Sequence, residues 1–108
     1  MSAELYIFTK PKCWIVDNFN LVTSFFEDLN SFKKESDSIY LLIDQNMGEK
    51  EMPCVIFRFN QLTCEVMMEI NAHPKDIEND LLKLFAEIKK HANLLIRDED
   101  GEISNWCL

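Results

Sequence analysis

Apolar and polar positions change period several times along this chain, and each change marks the start of a new element. Glu4-Leu-Tyr-Ile-Phe8 reads as a first strand, closed by Lys10-Pro11-Lys12. Val22, Phe25, Phe26, Leu29 and Phe32 then recur every three or four residues, the spacing that lines one face of a helix. They predict a helix over 17–32 with Asp17 or Asn18 as its cap. The polar run 33–37 ends it, and Ile39-Tyr-Leu-Leu-Ile43 is an apolar run of the length of a buried strand. Residues 45–51, which include Gly48, read as a loop.

Two alternating runs follow, Cys54 to Phe59 and Leu62 to Ile70, joined by Asn60-Gln61 in the manner of a hairpin. Pairing Phe59 with Leu62, or any register an even number of residues away, gathers Val55, Phe57, Phe59, Cys64, Val66, Met68 and Ile70 on one face. Ile56, Arg58, Thr63, Glu65, Met67 and Glu69 then occupy the other, which is at least partly wet. The strongest helical pattern comes next, over 74–92. Pro74 suits its first position, Asp76, Glu78 and Asp80 its positive end, and Lys89, Lys90 and His91 its negative end. Ile77, Leu81, Leu84, Phe85 and Ile88 form its stripe. The tail predicts a hairpin, 94–97 against 103–106, turning at Asp100-Gly101. Together these stripes predict one α/β (α+β) domain over residues 1–108. It is a two-layer sandwich in the order β-α-β-β-β-α-β-β, with both helices on one face of a mainly antiparallel sheet.

Composition changes the picture by what it excludes. With 19 acids against 11 Lys and Arg, the formal net charge is −8. Approach to nucleic acid or to an anionic membrane would therefore add repulsion, and basic partners are favoured. The apolar runs are too short to span a bilayer and no leader pattern opens the chain, so a cytoplasmic location is expected. Cys13, Cys54, Cys64 and Cys107 are scattered without a C-x-x-C pair and are expected as reduced thiols, with Cys54 and Cys64 as small core residues. His73 and His91 are too far apart on one helix to share an ion. Asp98, Asp100 and Glu102 imitate a calcium loop, but its glycine is displaced and its closing acid is missing. No glycine-rich phosphate loop and no G-x-S-x-G is present. No catalytic residue, cofactor or metal ligand is expected, and the chain reads as a non-enzymatic protein.

One stretch carries chemistry of another kind. Asp98-Glu99-Asp100-Gly101-Glu102 holds four carboxylates in five positions near the chain end, close to Trp106 and Cys107. An aromatic anchor beside carboxylates combines an interface hot spot with electrostatic steering. Asp98, Glu99, Asp100, Glu102 and Trp106, with Glu65 and Glu69 on the wet sheet face, are therefore the candidate partner-binding residues. Trp14 is a second candidate anchor.

Two resemblances bear on function. Ile7-Phe-Thr-Lys-Pro-Lys-Cys13 resembles the start of glutaredoxins. Met52-Pro53-Cys54-Val55-Ile56-Phe57, a hairpin and a helix from Pro74 resemble the proline-led half of the thioredoxin fold. That likeness covers about half the chain and implies a nucleophilic Cys13 beside a cis Pro53. It lacks a second cysteine after Cys13, lacks room between Asp44 and Pro53 for the family's second helix, and adds a hairpin at the end. The second resemblance is one of type and not of motif. Small, acidic, glycine-poor domains without catalytic motifs resemble the immunity proteins of bacterial toxin systems, including contact-dependent growth inhibition. It implies a cognate toxin domain as partner, basic and of the nuclease kind, blocked at its active site or substrate surface. The toxin inhibitor is the primary expectation and a degenerate thiol redox protein using Cys13 the alternative.

Overall fold

Alternation between Cys54 and Ile70 resolves into a hairpin in which Phe59 lies opposite Val66 and Val55 opposite Ile70. This register is an even number of residues from a Phe59–Leu62 pairing, so the expected faces are kept from Glu65 onward. The computed structural model describes residues 3–44 and 53–104. In order these form β1 (Ala3–Lys10), α1 (Trp14–Asp17), α2 (Phe19–Glu27), β2 (Phe32–Lys34), β3 (Ile39–Leu42), β4 (Val55–Asn60), β5 (Glu65–Ile70), α3 (Lys75–Lys89) and β6 (Asn93–Arg97). The strands make one sheet in the order β2-β3-β4-β5-β1-β6, antiparallel at every junction. The fold is α+β.

One face of the sheet carries the core. Leu5 and Ile7 of β1, Val55, Phe57 and Phe59 of β4, Val66, Met68 and Ile70 of β5 and Ile96 of β6 are buried together with Val22, Phe25 and Phe26 of α2. The α3 stripe Ile77, Leu81, Leu84, Phe85 and Ile88 joins the same cluster. Each such side chain taken fully out of water contributes about 1.5–3 kcal/mol before entropy is counted. Phe26 is a hub: its ring meets Phe57 edge-on at 4.9 Å and Tyr40 at 5.1 Å, and is tilted against Phe32 at 5.6 Å. Tyr40 is buried, and its hydroxyl shares a hydrogen bond of 2.8 Å with Thr23 Oγ1.

Several elements differ from the sequence expectation. The first helix is divided at Asn18, whose Nδ2 and backbone N–H both donate to the Trp14 carbonyl, closing α1 before α2 begins. Leu29 and Phe32 do not continue α2. Tight turns carry them on, Leu29 N–H to Phe26 O and Phe32 N–H to Leu29 O, and Phe32 begins the added strand β2. The apolar spacing survives because a turn and an edge strand deliver both side chains to the same core. At the tail, β6 meets Ile103 through a bridge to Arg97, the Ser104 N–H donates to the Ile96 carbonyl at 2.8 Å, and Asn105 and Trp106 of the expected last strand lie outside the described residues.

The expectation of reduced thiols is overturned at two positions. Cys13 and Cys64 form a disulfide, and Cys64 sits in the β4–β5 turn at φ 63°, not in a strand core. Scattered spacing conceals a pairing of this kind because the fold, not the sequence separation, brings the two loops together. Cys54 is the buried free thiol that the pattern implied.

Candidate functional site

The second face of the sheet follows from the same alternation. In β1 the residues between the core positions are Glu4, Tyr6 and Phe8. The register sets Glu4 beside Glu69, Tyr6 between Met67 and Arg97, and Phe8 beside Leu95. None of these side chains belongs to the core. Phe8 is 45% exposed, a large apolar surface for a strand paired on both sides. Tyr6, Met67 and Leu95 are half-buried around it. β1 and β6 thus form an aromatic and aliphatic centre at one side of the face.

Carboxylates surround that centre. Glu4 Oε2 accepts a hydrogen bond from the Tyr6 hydroxyl at 3.4 Å, and the Glu4 backbone N–H donates to Glu99 Oε1 at 3.2 Å. Partial burial, then the negative charges of Glu4, Glu99 and Glu65, hold the Tyr6 phenol above its ordinary value of 10.0. Three glutamates from three separate stretches of sequence therefore act on one ring. Glu69 is engaged by Arg58, Nη1 to Oε1 at 3.7 Å, a largely solvated ion pair of little energetic weight. Arg97, next to Tyr6 in the register, turns its guanidinium to the Gly101 carbonyl at 2.8 Å.

The acidic stretch 98–102 is a compact loop. Asp98 Oδ1 accepts the backbone N–H groups of Asp100 at 2.9 Å and Glu102 at 3.0 Å. The Gly101 N–H closes onto the Asp98 carbonyl, and Gly101 takes φ 82°. Positive φ is confined to Gly101, so the two-residue turn expected at Asp100-Gly101 is replaced by a wider loop. Its reason is Asp98, whose side chain accepts the Asp100 N–H and also the Glu102 N–H that a tight turn would have paired with the Glu99 carbonyl. Of the expected residues, Glu65, Glu69 and Glu99 reach the sheet face, Asp98 is turned into its own loop, and Asp100 and Glu102 are exposed on it. Trp106 lies outside the described residues. Trp14 is half-buried against the core and stacks on His91 with ring centroids 5.7 Å apart.

No known family, curated protein or solved structure matches the chain. Function therefore rests on the geometry. Glu4, Tyr6, Phe8 and Leu95 were missed by sequence reasoning. The alternation of Glu4 to Phe8 marked their common face, but only the pairing of β1 with β5 and β6 shows what that face adjoins.

A recess of about 420 Å³ beside the start of α3 is lined by Asn30, Ser31, Asp44, Asp76 and Asp80. There Asp80 is held by the Ser31 hydroxyl at 2.5 Å and its N–H at 3.3 Å. Among the described residues no group of three or more His, Cys, Asp or Glu is placed to hold a metal ion, and no helix is long and apolar enough to cross a membrane. Cys13 and Pro53 lie at opposite ends of the sheet. Pro53 is next to the Val55–Ile70–Ala3 end, whereas Cys13 follows Lys10, and the cis bond among the described residues is Lys10–Pro11. The cysteine-beside-proline arrangement implied by the thioredoxin resemblance is not formed.

Proposed function

We propose that this chain is a non-enzymatic binding protein of the immunity type, which neutralises a cognate basic toxin domain by covering its active site or substrate surface. One observation carries the reading: on its β1–β6 side the second sheet face presents Tyr6, Phe8 and Leu95, with Glu4, Glu65 and Glu99 around them. Aromatic anchors supply affinity once desolvated, and Glu4, Glu65 and Glu99 beside them speed encounter with a basic partner. The net charge of −8 acts in the same direction. A thiol redox reading draws on the Cys13–Cys64 disulfide, but Pro53, which the thioredoxin resemblance sets beside Cys13, lies at the opposite end of the sheet.

The test begins with the product of a toxin-bearing reading frame adjacent to this chain's gene, purified and mixed with it in stopped flow over a salt series. The expected result is fast association at low salt that slows as salt rises. The triple variant Glu4→Gln, Glu65→Gln, Glu99→Gln should associate at least tenfold more slowly and with a shallower salt dependence. Tyr6→Ala should act mainly on dissociation. If the triple variant associates as fast as the parent, the face is not the recognition surface. If no basic protein binds, the immunity reading falls.

A further inference from the structure

Cys13 and Cys64 join two loops that are far apart in sequence. Cys13 occupies the position before α1, at the end of the turn that leaves β1, and Cys64 is the last residue of the loop between β4 and β5. The bond spans 51 positions of sequence with the two Cα atoms 5.2 Å apart. Both residues are half-buried and neither belongs to the hydrophobic core, which is assembled without them. Cys54, by contrast, is fully buried and out of reach of a thiol reagent.

The backbone at Cys64 is the second observation. Its φ of 63° is the one positive value at a non-glycine position among the described residues. A hairpin loop uses such a residue to rejoin the next strand, and glycine or asparagine takes that conformation at least cost. A side chain with a β-carbon persists there when the surroundings over-determine it. The surroundings are thin. Asn60 Oδ1 accepts the Leu62 and Thr63 N–H groups and Thr63 Oγ1 accepts that of Glu65, while the Leu62 side chain is 97% exposed and anchors nothing.

We propose that the Cys13–Cys64 bond is a reversible redox clasp, which fixes the 61–64 loop and the β1–α1 turn when closed and releases both when opened, with the core intact in either state. Opening takes two electrons from a dithiol. One thiolate attacks a sulfur of the pair, the Cys13–Cys64 bond breaks as a mixed disulfide forms, and the other cysteine leaves as a thiolate that takes up a proton. The second thiol of the reagent then displaces the first cysteine. Two cysteine thiols and one oxidised dithiol remain. Glu65, on the rim of the acidic face, directly follows Cys64, so opening also frees a rim residue. That link alone rests on the recognition reading, and the clasp does not.

The experiment needs no partner. The full chain is equilibrated with oxidised glutathione, or reduced with dithiothreitol, and followed by peptide mapping and by backbone amide resonances. The expected result is a Cys13–Cys64 linked peptide in the oxidised form. On reduction, amide exchange at Leu62 and Thr63 should rise at least tenfold and shift changes should be confined to residues 11–16 and 60–66. Ile7, Phe57 and Met68 should keep their shifts, and re-oxidation should restore the starting spectrum. The double variant Cys13→Ser, Cys64→Ser should match the reduced spectrum without reductant. The clasp is overturned by absence of the linked peptide, by unchanged resonances at 60–66, or by loss of dispersion throughout the core on reduction, which would make the bond a staple for the whole fold. A recognition face that fails its own test leaves these outcomes untouched.

Discussion

The Glu99 carboxylate accepts the backbone N–H of Glu4 at 3.2 Å, across almost the whole length of the chain. This bond draws one acid of the C-terminal loop away from its sequence neighbours and adds it to the sheet face around Tyr6. Asp98, one residue earlier, does the opposite and bonds its own loop. Two adjacent acids thus have separate tasks.

Tyr6 reports on that arrangement. Its phenol is raised by burial and by Glu4, Glu99 and Glu65. Above pH 10 the unfolded chain gives up this proton while the folded chain retains it, so folding stability must fall as pH climbs through that window. Carbon-13 chemical shifts of labelled tyrosine should show Tyr6 titrating above 10, and Glu4→Gln with Glu99→Gln should bring the midpoint down. An unchanged midpoint in the double variant would mean that neither charge acts on the ring.

Glu87 gives the acid-side counterpart. Its bond from Lys90 Nζ at 2.8 Å, set against a smaller opposing cost of burial, holds the carboxyl below its ordinary value. The stabilisation is present above the unfolded value and is lost as pH falls through the folded one. Lys90→Met should return the Glu87 midpoint upward in a carboxyl titration by nuclear magnetic resonance, while the neutral-pH melting temperature moves little.

Within the acidic loop, substitution should separate structure from charge. Asp98→Ala removes the acceptor of two backbone N–H groups and should cost about 1 kcal/mol in urea unfolding. Asp100→Asn and Glu102→Gln should stay within about 0.5 kcal/mol of the parent, as exposed positions do. Equal losses at all three would contradict the assignment of Asp98 as the loop's internal cap.

Phe26→Ala empties the point where Phe32, Tyr40 and Phe57 meet and should lower stability by about 3–5 kcal/mol. Ser31→Ala removes the hydroxyl that bonds Asp80 and ties the end of the α2–β2 connection to α3, and about 1–3 kcal/mol is expected. Chemical denaturation of both variants gives the order: the aromatic hub should exceed the polar tie.

Periodicity carried most of the architecture. The stripe from Ile77 to Ile88 and the alternation from Val55 to Ile70 each name their buried face, because burial on one side imposes period 3.6 on a helix and period 2 on a strand. Phe32 shows the limit of that logic, since a position at helical spacing after Phe25 and Leu29 can enter the same core from an edge strand. Asn18 shows another: a residue that caps a helix can as well divide one. The candidate face was half legible. Glu65 and Glu69 were marked by alternation within one hairpin, whereas Tyr6, Phe8 and Glu99 depend on pairings between distant stretches. The Cys13–Cys64 bond was hidden for the same reason.

The place of β1 in the sheet has a consequence for how the chain is made. This strand is synthesised before every other strand of the sheet, yet its hydrogen-bonding partners are β5 on one side and β6 on the other. Until residues 65–70 have been synthesised, Leu5, Ile7 and Phe8 have no ladder to join, and the second edge of β1 stays open until residues 93–97 arrive. Closing such long loops is slow compared with forming α2 or the β3–β4 pairing. A nascent chain therefore holds β1 in waiting while β2, β3 and β4 are made, and β6, the last strand of the sheet to arrive, completes the face on which Tyr6 stands.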